Sequence, residues 1–390
     1  MPIYLDSNAT SQVAPEVLDE MLPFFGEHYA NPSSSYAAAK PVRVAIDLGR
    51  ERVAEMVGAA PSEIIFTGCG TESDNAAILS ALATLPDRKH IVTTAAEHSA
   101  IIEQCELLSK SDGIEVTAIA VDQHGRIDLE ELRAAVRPDD TAVVSMIWGN
   151  NETGVLNPIA EAAEIAHEAG ALFHTDAVQA AGKLAIDLSA LEVDLLSISG
   201  HKFHAPKGIG VLYASRRVRF RPLLVGGGQE GGRRAGTENV PYIAGLGKAA
   251  QLMVEHRGDS SVRAMRDRFE KAVLAGVPGA EVNGHPTERL PTTSNLHLPG
   301  VDSGALLILL DERDIYCSAG SACHTGALNP SHVLTAMGFD RKRAGSSARF
   351  SFSRFNTPSE VERAAESVIE CCQRMLEIRP LGGGPVIMAD

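Results

Sequence analysis

Between residues 60 and 215, short apolar runs alternate with stretches whose apolar positions recur every three or four residues. The first pattern is the signature of a buried strand and the second of an amphipathic helix. Strands are predicted over residues 63–67, 90–94, 141–146, 171–175 and 195–199, and helices over 72–85, 101–110 and 159–169. This alternation predicts the α/β class, with a mostly parallel sheet and helices on both faces. Ligands in such sheets bind beyond the carboxyl ends of the strands, so the residues that follow each strand are the ones to inspect.

After Pro241 a long helical pattern runs to about Leu274, followed by weaker signals over 294–298, 304–312, 348–353 and 358–378. These predict a smaller α+β domain, against which the first dozen residues are expected to pack. The expected division is a large domain over 15–255, a small domain formed by 1–14 and 256–378, and a tail over 379–390. That tail contains Leu381-Gly382-Gly383-Gly384-Pro385 and is expected to be disordered.

Composition narrows the function classes. The chain has 390 residues, 44% of them hydrophobic, which is enough for a sizeable core and for two domains. A formal net charge of −15 argues against nucleic acid or an anionic membrane as the main partner, while leaving room for a local basic site. The start of the sequence shows no secretory pattern, and the longest apolar runs, such as 305–310, are too short to span a bilayer. A cytoplasmic protein is expected. Its six cysteines are scattered and expected to be thiols; no CxxC pair offers a structural zinc site.

Four segments carry candidate chemistry. In Gly68-Cys69-Gly70-Thr71-Glu72-Ser73 a strand passes through glycines into a helix, which suits a phosphate but equally suits an ordinary βα turn. Ser73 stands where the third glycine of a dinucleotide fingerprint belongs. Asp176 ends an apolar strand, as a helix N-cap or as the partner of a cationic ring nitrogen. Lys202, in Ser199-Gly200-His201-Lys202, also sits just past a strand among small residues, where a Schiff-base lysine would be placed. A lysine, an acid and a phosphate cup on strand ends are together what pyridoxal phosphate (PLP) requires. Finally, Cys323 lies in Ser318-Ala319-Gly320-Ser321-Ala322-Cys323-His324, too small and polar a run to form core. The other five cysteines lack this setting and are assigned structural roles.

These segments, with Glu97-His98, Asn150-Asn151-Glu152-Thr153-Gly154, Gly226-Gly227-Gly228-Gln229-Glu230 and Arg234-Ala235-Gly236-Thr237-Glu238-Asn239, resemble the NifS/IscS cysteine desulfurases. Those enzymes are class V aminotransferase relatives of PLP fold type I, and the wording is closest to the nitrogenase-associated NifS branch. The resemblance implies that Lys202 holds PLP and moves the substrate α-proton, that His98 stacks on the ring, that Asp176 pairs with its nitrogen and that Gln179 bonds its hydroxyl. It implies that Gly70, Thr71, Ser199 and His201 hold the phosphate, with Thr237 reaching it from the other subunit of a homodimer. Asn151 and Arg349 would bind the carboxylate of L-cysteine. Cys323 would attack the substrate sulfur and carry it as a persulfide to a NifU/IscU-like iron–sulfur scaffold protein. Cys323 is also a candidate transient iron–sulfur ligand. His324 departs from the usual Thr or Ser after the cysteine and is read as facing solvent. A selenocysteine lyase, a small-substrate aminotransferase and a non-catalytic iron–sulfur carrier are the rival readings; Cys323 argues against the aminotransferase, and Lys202 with Asp176 against the carrier.

Overall fold

The computed structural model describes residues 2–319 and 330–378. The first strand, β1 (Ile3–Tyr4), is short. Seven strands then build one sheet: β2 (Ile64–Thr67), β3 (His90–Thr94), β4 (Glu115–Ile119), β5 (Thr141–Ile147), β6 (Leu172–Asp176), β7 (Leu195–Ser199) and β8 (Gly210–Ala214). Their spatial order is β2-β8-β7-β6-β5-β3-β4. The run from β4 to β7 is parallel, and β8 alone is reversed, pairing antiparallel with both β7 and β2.

Successive strand residues serve opposite layers. Ile91, Val143 and Leu195 pack with the helices Gly70–Thr84 and Ser99–Asp112, through Ile78, Ala81, Ile101 and Cys105. Val92, Val144 and Leu196 pack on the other face with Ile159, Ala163 and Ile243. Burial on both faces is why these strands read as continuous apolar runs. The edge strand β4 and the reversed β8 fall outside the predicted set: β4 carries Glu115 and Thr117 on an exposed edge, and β8 begins at a glycine.

The long helical pattern after Pro241 is two helices, Val240–Glu255 and Ser261–Gly276. Between them Gly258 has φ +89°, a left-handed conformation that an α-helix cannot continue through. A separate core forms where β10 (Thr293–His297) pairs with β9 (Glu281–Val282) and β12 (Ser347–Ser351). Phe269 anchors it, its ring 4.7 Å from that of Phe350 and 5.4 Å from that of Phe352. Ile3 and Leu5 are buried in this core, and β1 pairs parallel with β11 (Ile315–Tyr316). Val333, Leu334 and Met337 instead join the core of the large sheet. No helix among the described residues is long and apolar enough to cross a membrane.

Candidate active site

A cavity of about 350 Å³ lies at the carboxyl edge of the large sheet. Five strand ends feed it: Gly70 and Thr71 after β2, His98 after β3, Asn151 after β5, Asp176 and Gln179 at and after β6, and Ser199, His201 and Lys202 at and after β7. Arg349 enters from β12. Every sequence-predicted site residue among the described ones thus lines this cavity except Thr237, which is exposed on the segment before the helix Val240–Glu255. Cys323 and His324 lie outside the described residues, as does the tail 379–390.

One end of the cavity is built to hold an anion. The first-turn amides of the helix Gly70–Thr84 have no carbonyl partner within the helix and carry its positive dipole end. Cys69 caps this helix, its sulfur accepting from the Glu72 N–H at 3.4 Å, while the Glu72 carboxylate accepts from the Gly68 N–H at 2.7 Å. Reversal of β8 brings its first residue, Gly210, opposite both Thr67 and Ser199, and a Cβ there would meet the Cys69 carbonyl carbon at 2.6 Å. A Cβ on Gly70 would meet Val178 Cγ2 at 2.8 Å and Ser199 Cβ at 3.2 Å, filling the cradle. His201 hydrogen-bonds Thr10 Oγ1 at 3.1 Å, and burial pushes its imidazole down to about 4, so it stands neutral here.

At the other end, Lys202 Nζ donates to the carbonyls of Asn8 at 2.7 Å and Ala9 at 2.9 Å. Asp176 accepts from the Val178 N–H at 2.8 Å. His98 caps the helix Ser99–Asp112, its Nδ1 accepting from the Ala100 N–H at 3.1 Å; the proton of the neutral ring therefore sits on Nε2. Burial pushes the His98 imidazole below its usual range, against the pull of Asp176.

Three buried acids share this end. Burial, reinforced by the charge of Asp176, holds Asp74 well above the carboxylate range. Burial pushes Glu97 up to about 8, despite hydrogen bonds from the Ile147 N–H and Thr94 hydroxyl. Asp176 is also raised by burial, but His98 and Lys202 oppose the shift. Of the three, Asp176 is the one whose upward shift is opposed by both His98 and Lys202. The set fits a group with a carbonyl, a basic ring nitrogen and an anionic tail.

Arg349 is 2% exposed, and its Nη1 donates to the Asn151 carbonyl at 2.9 Å and its Nη2 to Asp6 at 2.7 Å. Arg349 Nε and Asn151 Oδ1 are buried without a hydrogen-bond partner, so both retain capacity for a ligand. Residues flanking 320–329 are fastened to the same surroundings. Ser318 and Arg349 exchange backbone hydrogen bonds at 2.6 and 3.1 Å, Ser331 Oγ donates to Glu152 at 2.5 Å, and His332 Nε2 donates to the Glu97 carbonyl at 2.9 Å. Of the remaining cysteines, Cys105, Cys371 and Cys372 are buried, Cys317 is half-buried and Cys69 is the helix cap.

Sequence reasoning missed Asn8, Asp74 and Lys183. Asp74, one turn after Thr71 on the same helix, had a readable spacing, whereas Lys183, on the irregular turn after Gln179, had none. Asn8 had no such signal.

The sequence matches the Aminotransferase class-V family over residues 3–364. It is 50% identical over 379 residues to "Cysteine desulfurase 2" of Trichormus variabilis, covering 97% of this chain and 95% of that one. It is 48% identical over 390 residues to "Cysteine desulfurase NifS" of Azotobacter vinelandii, covering 98% and 96%. A solved "NIFS-LIKE PROTEIN" superposes with a TM-score of 0.89 at 36% identity, covering 96% of this chain and all of that one. The chain belongs to the class-V aminotransferase family, and within it to the cysteine desulfurases.

Proposed function

We propose that this chain uses PLP to take the sulfur of L-cysteine, releasing L-alanine and holding the sulfur as a persulfide on Cys323. The observation that carries this reading is the meeting of Lys202, Asp176, His98 and Arg349 around one cavity that ends at Gly70 and Thr71. Lys202 would hold the cofactor's carbonyl carbon, Asp176 its ring nitrogen, Gln179 its ring hydroxyl, and Gly70, Thr71, Ser199 and His201 its phosphate, with His98 against the ring. PLP, when bound, supplies an electron sink for charge that develops on the substrate α-carbon.

The chain's own groups do the rest. Arg349 and Asn151 bind the substrate carboxylate. The Lys202 amine removes the α-proton, and His98 Nε2 carries protons between substrate and solvent. The Cys323 thiolate attacks the substrate sulfur: an S–S bond forms, the S–Cβ bond breaks, and Cβ keeps the electron pair and takes a proton. Sulfur is oxidised as carbon is reduced, so no outside oxidant is needed.

The persulfide then passes to an iron–sulfur scaffold, in the manner of a nitrogenase-associated NifS; in that hand-over Cys323 is the residue able to touch iron. A thiolate nucleophile suits a reducing, cytoplasmic setting. The active unit in this reading is a homodimer. Phe25, Tyr29, Tyr36 and Val225 expose large apolar surface, and Thr237, absent from its own subunit's cavity, is free to reach the partner's phosphate. Borohydride reduction of the PLP-loaded protein followed by peptide mapping should label Lys202. A label on Lys207, or no visible band on adding PLP, would overturn the reading.

A further inference from the structure

Lys183 lies four residues beyond Gln179 on the turn that follows β6, half-buried, and with Lys202 it lines a second cavity of about 450 Å³. Its Nζ donates to Gln179 Oε1 and, at 3.1 Å, to Asn8 Oδ1. Gln179 Nε2 donates to the Asn8 carbonyl at 2.9 Å, the same oxygen that accepts from Lys202 Nζ at 2.7 Å. The other end of the Asn8 amide is also committed, to the Asn151 carbonyl at 3.1 Å and Thr293 Oγ1 at 2.9 Å. A primary amide has one accepting and one donating end. With Lys183 Nζ donating to the oxygen of Gln179, the nitrogen turns toward the Asn8 carbonyl that Lys202 also reaches.

The charged and titratable groups around Lys183 are Lys202 and Arg349, with His201 and His204 on the segment after β7, and His256, Arg257, Asp259, Arg263 and Arg354 across the second cavity; Asp6 is paired with Arg349. Burial and the two cations push the Lys183 ammonium well below the usual lysine range. No role in the reaction set out above falls to this lysine.

We propose that Lys183 is a positioning residue that locks Gln179 with its donor end toward the ring oxygen of the cofactor, and so sets the pH at which the linkage between Lys202 and the cofactor loses its proton. The inference rests on the PLP reading. A hydrogen bond donated to that ring oxygen makes it a poorer partner for the linkage N–H, which lowers the pH of proton loss. Asp176, His98, His201 and Arg349 also face Lys202, but they stay constant across the variants.

The test uses PLP-loaded wild type, Lys183→Met, Lys183→Arg, Gln179→Leu and the Lys183→Met/Gln179→Leu double variant, each titrated by visible absorbance. The midpoint should rise by about one pH unit in Lys183→Met. Lys183→Arg, which keeps the donors, should restore most of the shift. Because Lys183 acts through Gln179, the double variant should shift no further than the larger single one. An unmoved midpoint in Lys183→Met, or fully additive shifts, would overturn the inference. Lys183→Ala serves the same comparison if the methionine variant does not fold. A wild type with no visible band would instead overturn the PLP reading itself.

Discussion

Glu97→Gln tests the idea that burial disfavours the ionised form of the Glu97 carboxyl. Glu97 Oε1 accepts from the Ile147 N–H at 2.9 Å and the Thr94 hydroxyl at 2.7 Å, and a glutamine oxygen keeps both bonds. Glu97 Oε2 is buried without a partner, so ionisation has nothing there to offset desolvation. The ordinary carboxyl value of 4.5 is pushed to about 8 in the fold. The folded state therefore binds more protons than the unfolded state across that window. Stability is fully present below pH 4.5 and is lost as pH rises toward 8. At 1.36 kcal/mol per unit, the loss is about 3 kcal/mol by pH 7 and approaches about 5 kcal/mol above pH 8. Glutamine cannot ionise, so Glu97→Gln should escape this loss. Urea unfolding of the cofactor-stripped proteins at several pH values measures it, using the single tryptophan, Trp148, whose amide donates to the Asp176 carbonyl at 2.9 Å. The stability difference between variant and wild type should widen steadily from pH 5 to 8. A constant difference over that range would show that burial does not raise the Glu97 carboxyl.

Three further outcomes are expected. Cys323→Ala should keep the visible band but form no alanine from cysteine, and undiminished alanine formation would remove Cys323 from the reaction. Arg349→Ala should weaken cysteine saturation by roughly 2–5 kcal/mol without altering the resting spectrum, because a carboxylate loses its charged partner; unaltered saturation kinetics would rule out Arg349 as the carboxylate site. Co-expressed Lys202→Ala and Thr237→Asp chains, each inactive alone, should regain activity in mixed dimers, where one site takes an intact Lys202 and the partner's intact Thr237. Failure of sedimentation-verified mixed dimers to regain it would refute a shared site.

Lys202, Asp176 and Ser199 were legible in the sequence because each follows an unbroken apolar run, and a strand buried on both faces fixes where its carboxyl end must fall. The Gly70–Thr71 turn was legible for the same reason, although only its packing against Val178 and Ser199 separates a cradle from an ordinary turn. The break at Gly258 was hidden, since a lone glycine among polar residues does not by itself end a helical pattern. Asn8 was invisible because its role comes from contacts with Lys202, Lys183 and Thr293, 194, 175 and 285 residues away, and no local pattern encodes such distances. The upward shifts of Asp74 and Glu97 were equally hidden, being set by burial that only the assembled fold provides.

The placement of the N-terminal segment has a consequence for how the enzyme is made. Residues 3–9 leave the ribosome long before their partners: Ile3 waits for Ile315, Ser7 for Ser351 and Asn8 for Thr293. The large sheet from β2 to β8 is complete by Ala214, well before those partners exist. Domains generally fold as units in the order of synthesis, so the strand ends that carry Asp176 and Lys202 can form while Asn8 and Ala9 are still unplaced. During that interval the Lys202 amine lacks the two carbonyls that later hold it. The hold on the Lys202 amine is thus among the last features of the fold to form, complete only when the amino terminus docks.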